Sequence, residues 1–102
     1  MMDKMSKVKI EAALRTLHDW ALVEDGASIT KQFQFRNFVE AFGFMTEAAL
    51  IAEKMDHHPE WTNVWRKVAV TLTTHSAKGL TELDFTLAKA MDEIAASRRH
   101  KP

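Results

Sequence analysis

The sequence predicts an α+β domain, an antiparallel sheet with three α-helices packed on one of its faces. Two observations predict it: apolar residues recur at helical spacing in three segments and alternate with polar residues in the segments between them. The predicted order is helix, two strands, helix, one or two strands, helix. No repeat or linker interrupts the 102 residues, so we expect one domain over residues 1–102, frayed at 1–5 and 97–102.

Three segments make up the predicted N-terminal part. Apolar residues at helical spacing indicate an amphipathic helix over roughly residues 6–18. A short apolar run at 20–23 precedes Asp25-Gly26, a dipeptide typical of hairpin turns because glycine accepts positive φ. Side chains then alternate between core and solvent types over 29–35, which predicts a half-buried strand that pairs with the first.

Residues 36–56 predict a long helix with two apolar faces. Its apolar side chains fall into two rows: Phe38, Phe42, Met45, Ala49 and Ala52, and Ala41, Phe44, Ala48, Ile51 and Met55. A helix on a sheet needs only one such row, so we expect the other to face a neighbouring helix or a partner subunit. Pro59 lacks an amide hydrogen and forces the residue before it toward extended backbone, so the helix must end near His57.

The C-terminal part predicts strand and then helix. Residues 61–74 alternate and are rich in β-branched side chains, but so long a run exceeds a usual strand, so we expect a bend or break near Arg66-Lys67. Val64 shares the parity of the valines that follow it and is expected to share their face. Thr81 to Asp84 resembles a capping box, which predicts that the last helix begins there.

Composition narrows the class of protein. Fourteen Lys and Arg balance fourteen Asp and Glu, so the chain lacks the positive charge that favours nucleic acid or an anionic membrane. Cysteine is absent, which excludes disulfides, thiolate metal ligands and a cysteine nucleophile. No apolar stretch approaches the ~18 residues of a membrane span, and the N-terminus has no secretion signal. We expect a cytoplasmic protein that binds neither nucleic acid nor membrane directly.

Three histidines fall at the predicted ends of elements: His57, His58 and His75. Histidine ordinarily has a pKa of about 6.5, so it can give and take protons near neutral pH. Glu53 lies one helical turn before His57 and is expected to orient that ring. A structural explanation is also open, because histidines at a helix C-terminus complement its dipole. Zinc is disfavoured, since adjacent residues in extended chain point to opposite sides.

Two aromatic residues and one acid also have two interpretations. Trp61 and Trp65 could stack on a flat heteroaromatic ligand, although such residues more often fill a core or an interface. Asp84 is most simply the acidic partner of a cap at Thr81, three residues earlier.

The combination of these residues resembles the signature of the pterin-4a-carbinolamine dehydratases. The matching stretches are Glu53-x3-His57-His58-Pro59-Glu60-Trp61, Asn63-Val64-Trp65, Thr74-His75, and Gly79-Leu80-Thr81 followed by Asp84, Leu87 and Ala88. The resemblance runs from about residue 14 to 94 and is most specific over 53–88. Trp65 stands where the family more usually has Tyr, and Lys78 where a second glycine is common.

The resemblance implies dehydration of 4a-hydroxytetrahydropterin to quinonoid dihydropterin and water, which recycles the cofactor of aromatic amino acid hydroxylases. The reaction moves protons but no electrons, so no metal and no cofactor is expected. By analogy, His57 and His75 transfer protons, while His58 mainly holds the pterin and Glu53 tunes His57. The remaining residues expected to bind the substrate beside His58 are Pro59, Trp61, Trp65 and Asp84.

The resemblance also bears on partners. The family forms dimers or dimers of dimers through helical surfaces, which agrees with the second apolar row of the long helix, so we expect a homo-oligomer. A pterin-dependent hydroxylase would be a functional partner that supplies the substrate. Two alternatives stay open: a protein-binding dimerisation cofactor that acts as a transcriptional coactivator, as animal members do, and a dehydratase for another pterin.

Overall fold

A four-stranded antiparallel sheet organises the protein, which we describe from a computed structural model over residues 3–99. The elements are α1 (Lys7–Leu14), β1 (Ala21–Leu22), β2 (Ile29–Gln34), α2 (Phe38–Met55), β3 (Glu60–Val64), β4 (Lys67–Leu72), a 3₁₀ helix (His75–Ala77) and α3 (Glu82–Arg99). The strand order is β1-β2-β4-β3, and every neighbouring pair is antiparallel. The predicted α+β class and order of elements are confirmed.

The alternation along the two central strands divides the sheet into two faces. Ile29 lies opposite Leu72, and Phe33 lies opposite Val68. All four side chains are fully buried because they point toward the helices, where apolar area removed from water stabilises the fold by roughly 25 cal/mol per Å². The intervening residues of both strands point to the other face, so a period of two suffices to build one core.

The long helix α2 packs against the sheet and against α3. On the sheet side, the ring centroid of Phe44 lies 4.7 Å from that of Phe33 and 5.1 Å from that of Phe35. On α3, Leu87 and Met91 are fully buried. The row containing Phe44 therefore faces the core, as one apolar row of α2 must.

The first helix is shorter than predicted. It spans Lys7–Leu14 rather than residues 6–18, and the Ser6 side chain caps it by accepting the N–H of Lys9. Beyond Leu14 the bonds tighten to a three-residue spacing, and the Thr16 hydroxyl donates to the carbonyl of Ala13 at 2.7 Å. The helical spacing of apolar residues extends to Leu17 in the sequence, because the turn after α1 still packs Leu17 against the core.

The segment predicted to bend or break near Arg66-Lys67 is a hairpin of two strands. β3 and β4 are joined at Trp65 and Arg66, and Trp65 has a left-handed backbone with φ 54°. The Asn63 amide stabilises this turn by donating to the carbonyls of Trp65 and Lys67 at 3.0 and 2.9 Å. The break near Arg66 is confirmed, but the expected position of Val64 is wrong: the reversal leaves it exposed on the outer face, opposite Lys67.

Both ends of the described chain make hydrogen bonds to the rest of the fold. The N–H of Met5 donates to the carbonyl of Leu80 at 2.7 Å. α3 spans Glu82–Arg99 and so includes part of the segment predicted to fray, and Nε of Arg98 donates to the Glu47 carboxylate at 2.7 Å. This bond ties the end of α3 to α2. Residues 1–2 and 100–102, also predicted to fray, lie outside the described residues.

Candidate active site

The end of α2 decides where the two adjacent histidines point. Asp56 adopts a left-handed conformation, φ 53° and ψ 43°, and the N–H of His57 donates to the carbonyl of Ala52 at 3.0 Å. This is the bonding pattern of a Schellman helix end. It turns the His57 ring inward, where the residue is 7% exposed, and leaves His58 at the surface.

His57 belongs to a buried hydrogen-bond network centred on Asp84, which is fully buried. Nε2 of His57 lies 2.6 Å from Oδ1 of Asp84. The other oxygen, Oδ2, accepts the Thr74 hydroxyl at 2.8 Å and the Thr81 N–H at 3.0 Å. The two threonine hydroxyls lie 2.8 Å apart. The network therefore joins the end of α2, the end of β4 and the start of α3.

The chemistry of Asp84 fixes the proton on the His57 ring. A carboxylate only accepts hydrogen bonds, so Nε2–H of His57 donates to it and Nδ1 is the ring nitrogen left for another partner. Nδ1 forms no hydrogen bond within residues 3–99, and the one buried side-chain N or O without a partner in that range is Nε of Arg66. Nδ1 is therefore not among the buried orphaned atoms of that range.

The other two histidines are exposed, and each is paired with a glutamate. Nε2 of His58 lies 2.8 Å from Oε1 of Glu53, and Nε2 of His75 lies 3.0 Å from Oε2 of Glu60. The side chains of His58 and His75 are 58% and 79% exposed. Glu60 is the second residue after His58. Its contact with His75 therefore places His75 beside the segment that carries His57 and His58.

A second connection joins His75 to the doublet through the core. His75 directly follows Thr74, whose hydroxyl bonds the same carboxylate as the His57 ring. The two connections, one through Asp84 and one through Glu60, hold residues from two separate stretches of chain in one region. The half-buried Pro59 lies in this region, between His58 and Glu60.

Two expected roles need correction. Glu53 bonds His58 rather than His57, because the left-handed residue Asp56 ends the helical register on which an i, i+4 contact depends. Asp84 was expected to bind substrate, but it is fully buried and both its oxygens are occupied. It contacts the His57 ring through Oδ1 and caps the start of α3 by accepting the Thr81 N–H.

The two tryptophans lie in different places. Trp61 is half-buried against the core at the start of β3. Trp65 lies at the hairpin tip, beyond the five residues of β3, which at ~3.3 Å per residue span roughly 16 Å. It contacts Arg66, whose guanidinium carbon lies 4.9 Å from the indole centroid. Within this chain Trp65 therefore lies at the opposite end of β3 from the histidines, and its contact with substrate stays a prediction.

Sequence reasoning gave no role to two residues of the site, Glu60 and Thr74. Glu60 is the first residue of β3 and lies opposite Thr71 of β4, so its side chain comes near the residues that follow β4. A signal was available, because a chain reversal at the expected break near Arg66-Lys67 aligns residue 60 with the end of the following strand. Thr74 had no such signal, because its bond depends on where α3 begins.

A sizeable cavity lies away from the histidine cluster. It measures about 430 Å³ and lies between the N-terminal segment and the β1–β2 hairpin, where Met5, Ile10 and Leu22 line it. None of the three histidines lines this cavity. Acid–base chemistry therefore points to the histidine cluster rather than to this cavity.

Two absences hold for the described part of the chain. No three His, Asp or Glu side chains there are arranged to hold a metal ion. No helix there is long and apolar enough to cross a membrane.

Comparisons with known proteins agree on the family. The family model described as "Pterin 4 alpha carbinolamine dehydratase" matches residues 3–94. A relative from Rhizobium johnstonii is 61% identical over 95 residues, covering 93% of this chain and 94% of the relative. One from Sinorhizobium fredii is 59% identical over 96 residues, covering 94% and 91%. Both carry the provisional name of pterin-4-alpha-carbinolamine dehydratase.

Solved structures extend the agreement to three dimensions. The crystal structure of a transcriptional coactivator/pterin dehydratase from Brucella melitensis is 48% identical and superposes with a TM-score of 0.89, covering 91% of this chain and 99% of that one. A pterin dehydratase-like RuBisCO assembly factor of the alpha-carboxysome shares the fold, with a TM-score of 0.67 at 23% identity over 76% of this chain and 90% of that one. On the family model and the two relatives, the chain belongs to the pterin-4-alpha-carbinolamine dehydratase family.

Proposed function

We propose that the chain dehydrates 4a-hydroxytetrahydropterin to quinonoid dihydropterin and water, by histidine acid–base catalysis and with no metal or redox cofactor. The observation that carries the proposal is the grouping of three imidazoles, each held by a carboxylate at Nε2, around one short stretch of chain. Family membership supplies the substrate class. The reaction would regenerate the pterin used by an aromatic amino acid hydroxylase.

The chemistry requires one acid and one base. The N5 lone pair forms the N5=C4a bond as the C4a–O bond breaks, and an acid protonates the leaving hydroxyl to water. A base then removes the N5 proton, so the overall change is loss of water. Each positioned acid or base typically accelerates such a step by ~10²–10⁴-fold, or about 3–5 kcal/mol of barrier.

We assign the base to His57 and the acid to His75. Nδ1 of His57 holds a lone pair, and the buried Asp84 carboxylate at Nε2 stabilises the imidazolium that forms when Nδ1 takes the proton. His75 is exposed, so after donating its proton it can take another from water. His58, fixed by Glu53, is assigned to holding the pterin, with Pro59 and Trp61 beside it.

The assay for this function follows the quinonoid product. Purified protein is added to freshly generated 4a-hydroxytetrahydropterin, and the ultraviolet absorbance of the product is recorded against the spontaneous reaction. We expect catalytic amounts of protein to accelerate water loss by about 10²-fold or more. A rate equal to the spontaneous one, even at stoichiometric protein, would contradict the proposal. Pterins that differ in side chain, tested in parallel, would identify a dehydratase for another pterin.

We also propose a homodimer or dimer of dimers formed through α2. In the single chain α2 exposes Phe38 and Phe42 of its outer apolar row, together with Val39 and Leu50, which belong to neither row. Contiguous exposed apolar surface of this kind is typical of a protein–protein interface. The row lies on the helix that carries Glu53, so the interface would adjoin the histidine cluster without including its buried network.

Replacing Phe42 by Asp should weaken this association. A charge in an apolar interface must lose its hydration, so we expect the dissociation constant to rise by about tenfold or more. Sedimentation velocity at micromolar concentration measures the change. Val8→Asp is the control, because Val8 is also an exposed apolar residue but lies on α1. A wild-type monomer at micromolar concentration, or equal effects of the two variants, would refute the interface.

A coactivator role is the second candidate function. It is favoured by the similarity to the Brucella melitensis protein, which is described as a transcriptional coactivator/pterin dehydratase, together with the exposed apolar row of α2. A protein partner would then bind that row in place of a second copy. Stable binding of a partner that Phe42→Asp abolishes, with no dehydratase activity in the wild type, would favour this role.

A further inference from the structure

Glu60 makes a contact that joins the two stretches of chain at the site. It begins β3, and its Oε2 lies 3.0 Å from Nε2 of His75, fifteen residues later. The strand pairing sets this contact, because Glu60 lies opposite Thr71 and His75 begins the 3₁₀ helix that follows β4. The glutamate is therefore delivered to His75 by the sheet rather than by a flexible loop.

The same ring nitrogen contacts a carboxylate in all three histidines of the cluster. Nε2 pairs with Asp84 in His57, with Glu53 in His58 and with Glu60 in His75. In each case Nδ1 is left for other partners. A repeated choice of nitrogen in three separately positioned rings indicates that orientation matters at each of them.

We propose that Glu60 is a positioning residue for His75, which holds Nε2–H and thereby presents Nδ1 to the leaving hydroxyl of the substrate. The proposal rests on the dehydratase function. The carboxylate accepts from Nε2–H whether the ring is neutral or charged. When the ring is charged, the proton that it can transfer is therefore the one on Nδ1. That proton passes to the C4a oxygen, the C4a–O bond breaks, water leaves, and Nδ1 takes a new proton from solvent.

Exposure sets the size of the expected effect. Both side chains are largely open to water, and exposed ion pairs are weakened by screening and by the entropy of ordering two side chains. We expect Glu60→Ala to lower kcat by about two- to fivefold, far less than removal of the imidazole. KM should change little, because Glu60 acts on the ring and not on the substrate.

A double-mutant cycle tests whether Glu60 acts through His75. The measured quantity is kcat for the wild type, Glu60→Ala, His75→Ala and the double variant. We expect Glu60→Ala to have no further effect once the ring is absent. Glu60→Gln should restore part of the loss, because its amide oxygen can still accept from Nε2–H. Glu11→Ala, an exposed glutamate of α1, is the control and should match the wild type.

Nitrogen NMR of histidine-labelled protein reads the tautomer without turnover. The neutral His75 ring should carry its proton on Nε2 in the wild type and shift toward a mixture of tautomers in Glu60→Ala. An unchanged tautomer, or an equal loss of kcat in the His75→Ala background, would overturn the proposal. A wild type without dehydratase activity would instead overturn the proposed function, and with it proton delivery, while the tautomer shift would still report the pair.

Discussion

Replacing His75 by alanine should lower kcat/KM for the carbinolamine by about 10²–10⁴-fold and leave the fold intact. The ring is the proposed acid, and without it the hydroxyl must leave with a proton taken from water. Its side chain is exposed and has one hydrogen bond, so its removal creates no cavity. The assay of product absorbance measures the loss, and thermal unfolding checks the fold.

His75 is a cleaner test than His57 because of burial. Truncating His57 removes a partner of the fully buried Asp84, so a loss of activity would include a loss of stability. His18→Ala is the control, since His18 is also exposed and lies far from the cluster in sequence. If His75→Ala retains wild-type kcat/KM, the assignment of the acid is wrong.

Replacing Asp84 by asparagine should reduce both stability and rate. Three donors converge on the carboxylate, and an amide offers one acceptor oxygen and an N–H₂ group that itself donates. At least one buried donor then faces another donor, which destabilises by about 1–3 kcal/mol. The midpoint of thermal unfolding should fall by about 4–8 °C for each kcal/mol. We expect kcat to fall by about tenfold or more, because the His57 ring loses its anionic partner.

Asp92→Asn is the control that separates the effect of Asp84→Asn on stability from its effect on kcat. Asp92 is another largely buried acid of α3, and it accepts from Trp20 Nε1 at 3.0 Å and from Lys31 Nζ at 2.8 Å. It has no bond to the three histidines. We expect a comparable loss of stability with kcat unchanged. Equal losses of kcat in the two variants, or wild-type kcat in Asp84→Asn, would contradict the role of Asp84.

Local patterns predicted most of the fold. The alternation at 29–35 gave β2, and the two apolar rows gave a helix whose end the Pro59 rule located within two residues. Burial pattern and backbone restriction act over a few residues, so they can be read from one segment. The length of α1 and the side on which Val64 lies were missed, because both depend on how the chain turns after the element ends.

Most residues of the candidate site could likewise be predicted from local sequence, but their pairing could not. The sequence by itself singled out the histidines and acids that the proposed chemistry uses, because they are a matter of composition and motif. Only the tertiary structure decided which acid holds which ring. His57 finds Asp84 twenty-seven residues later, and Glu53 goes to His58 because a left-handed residue ends α2. Such pairings depend on strand register and helix ends meeting in space, and no local pattern encodes that distance.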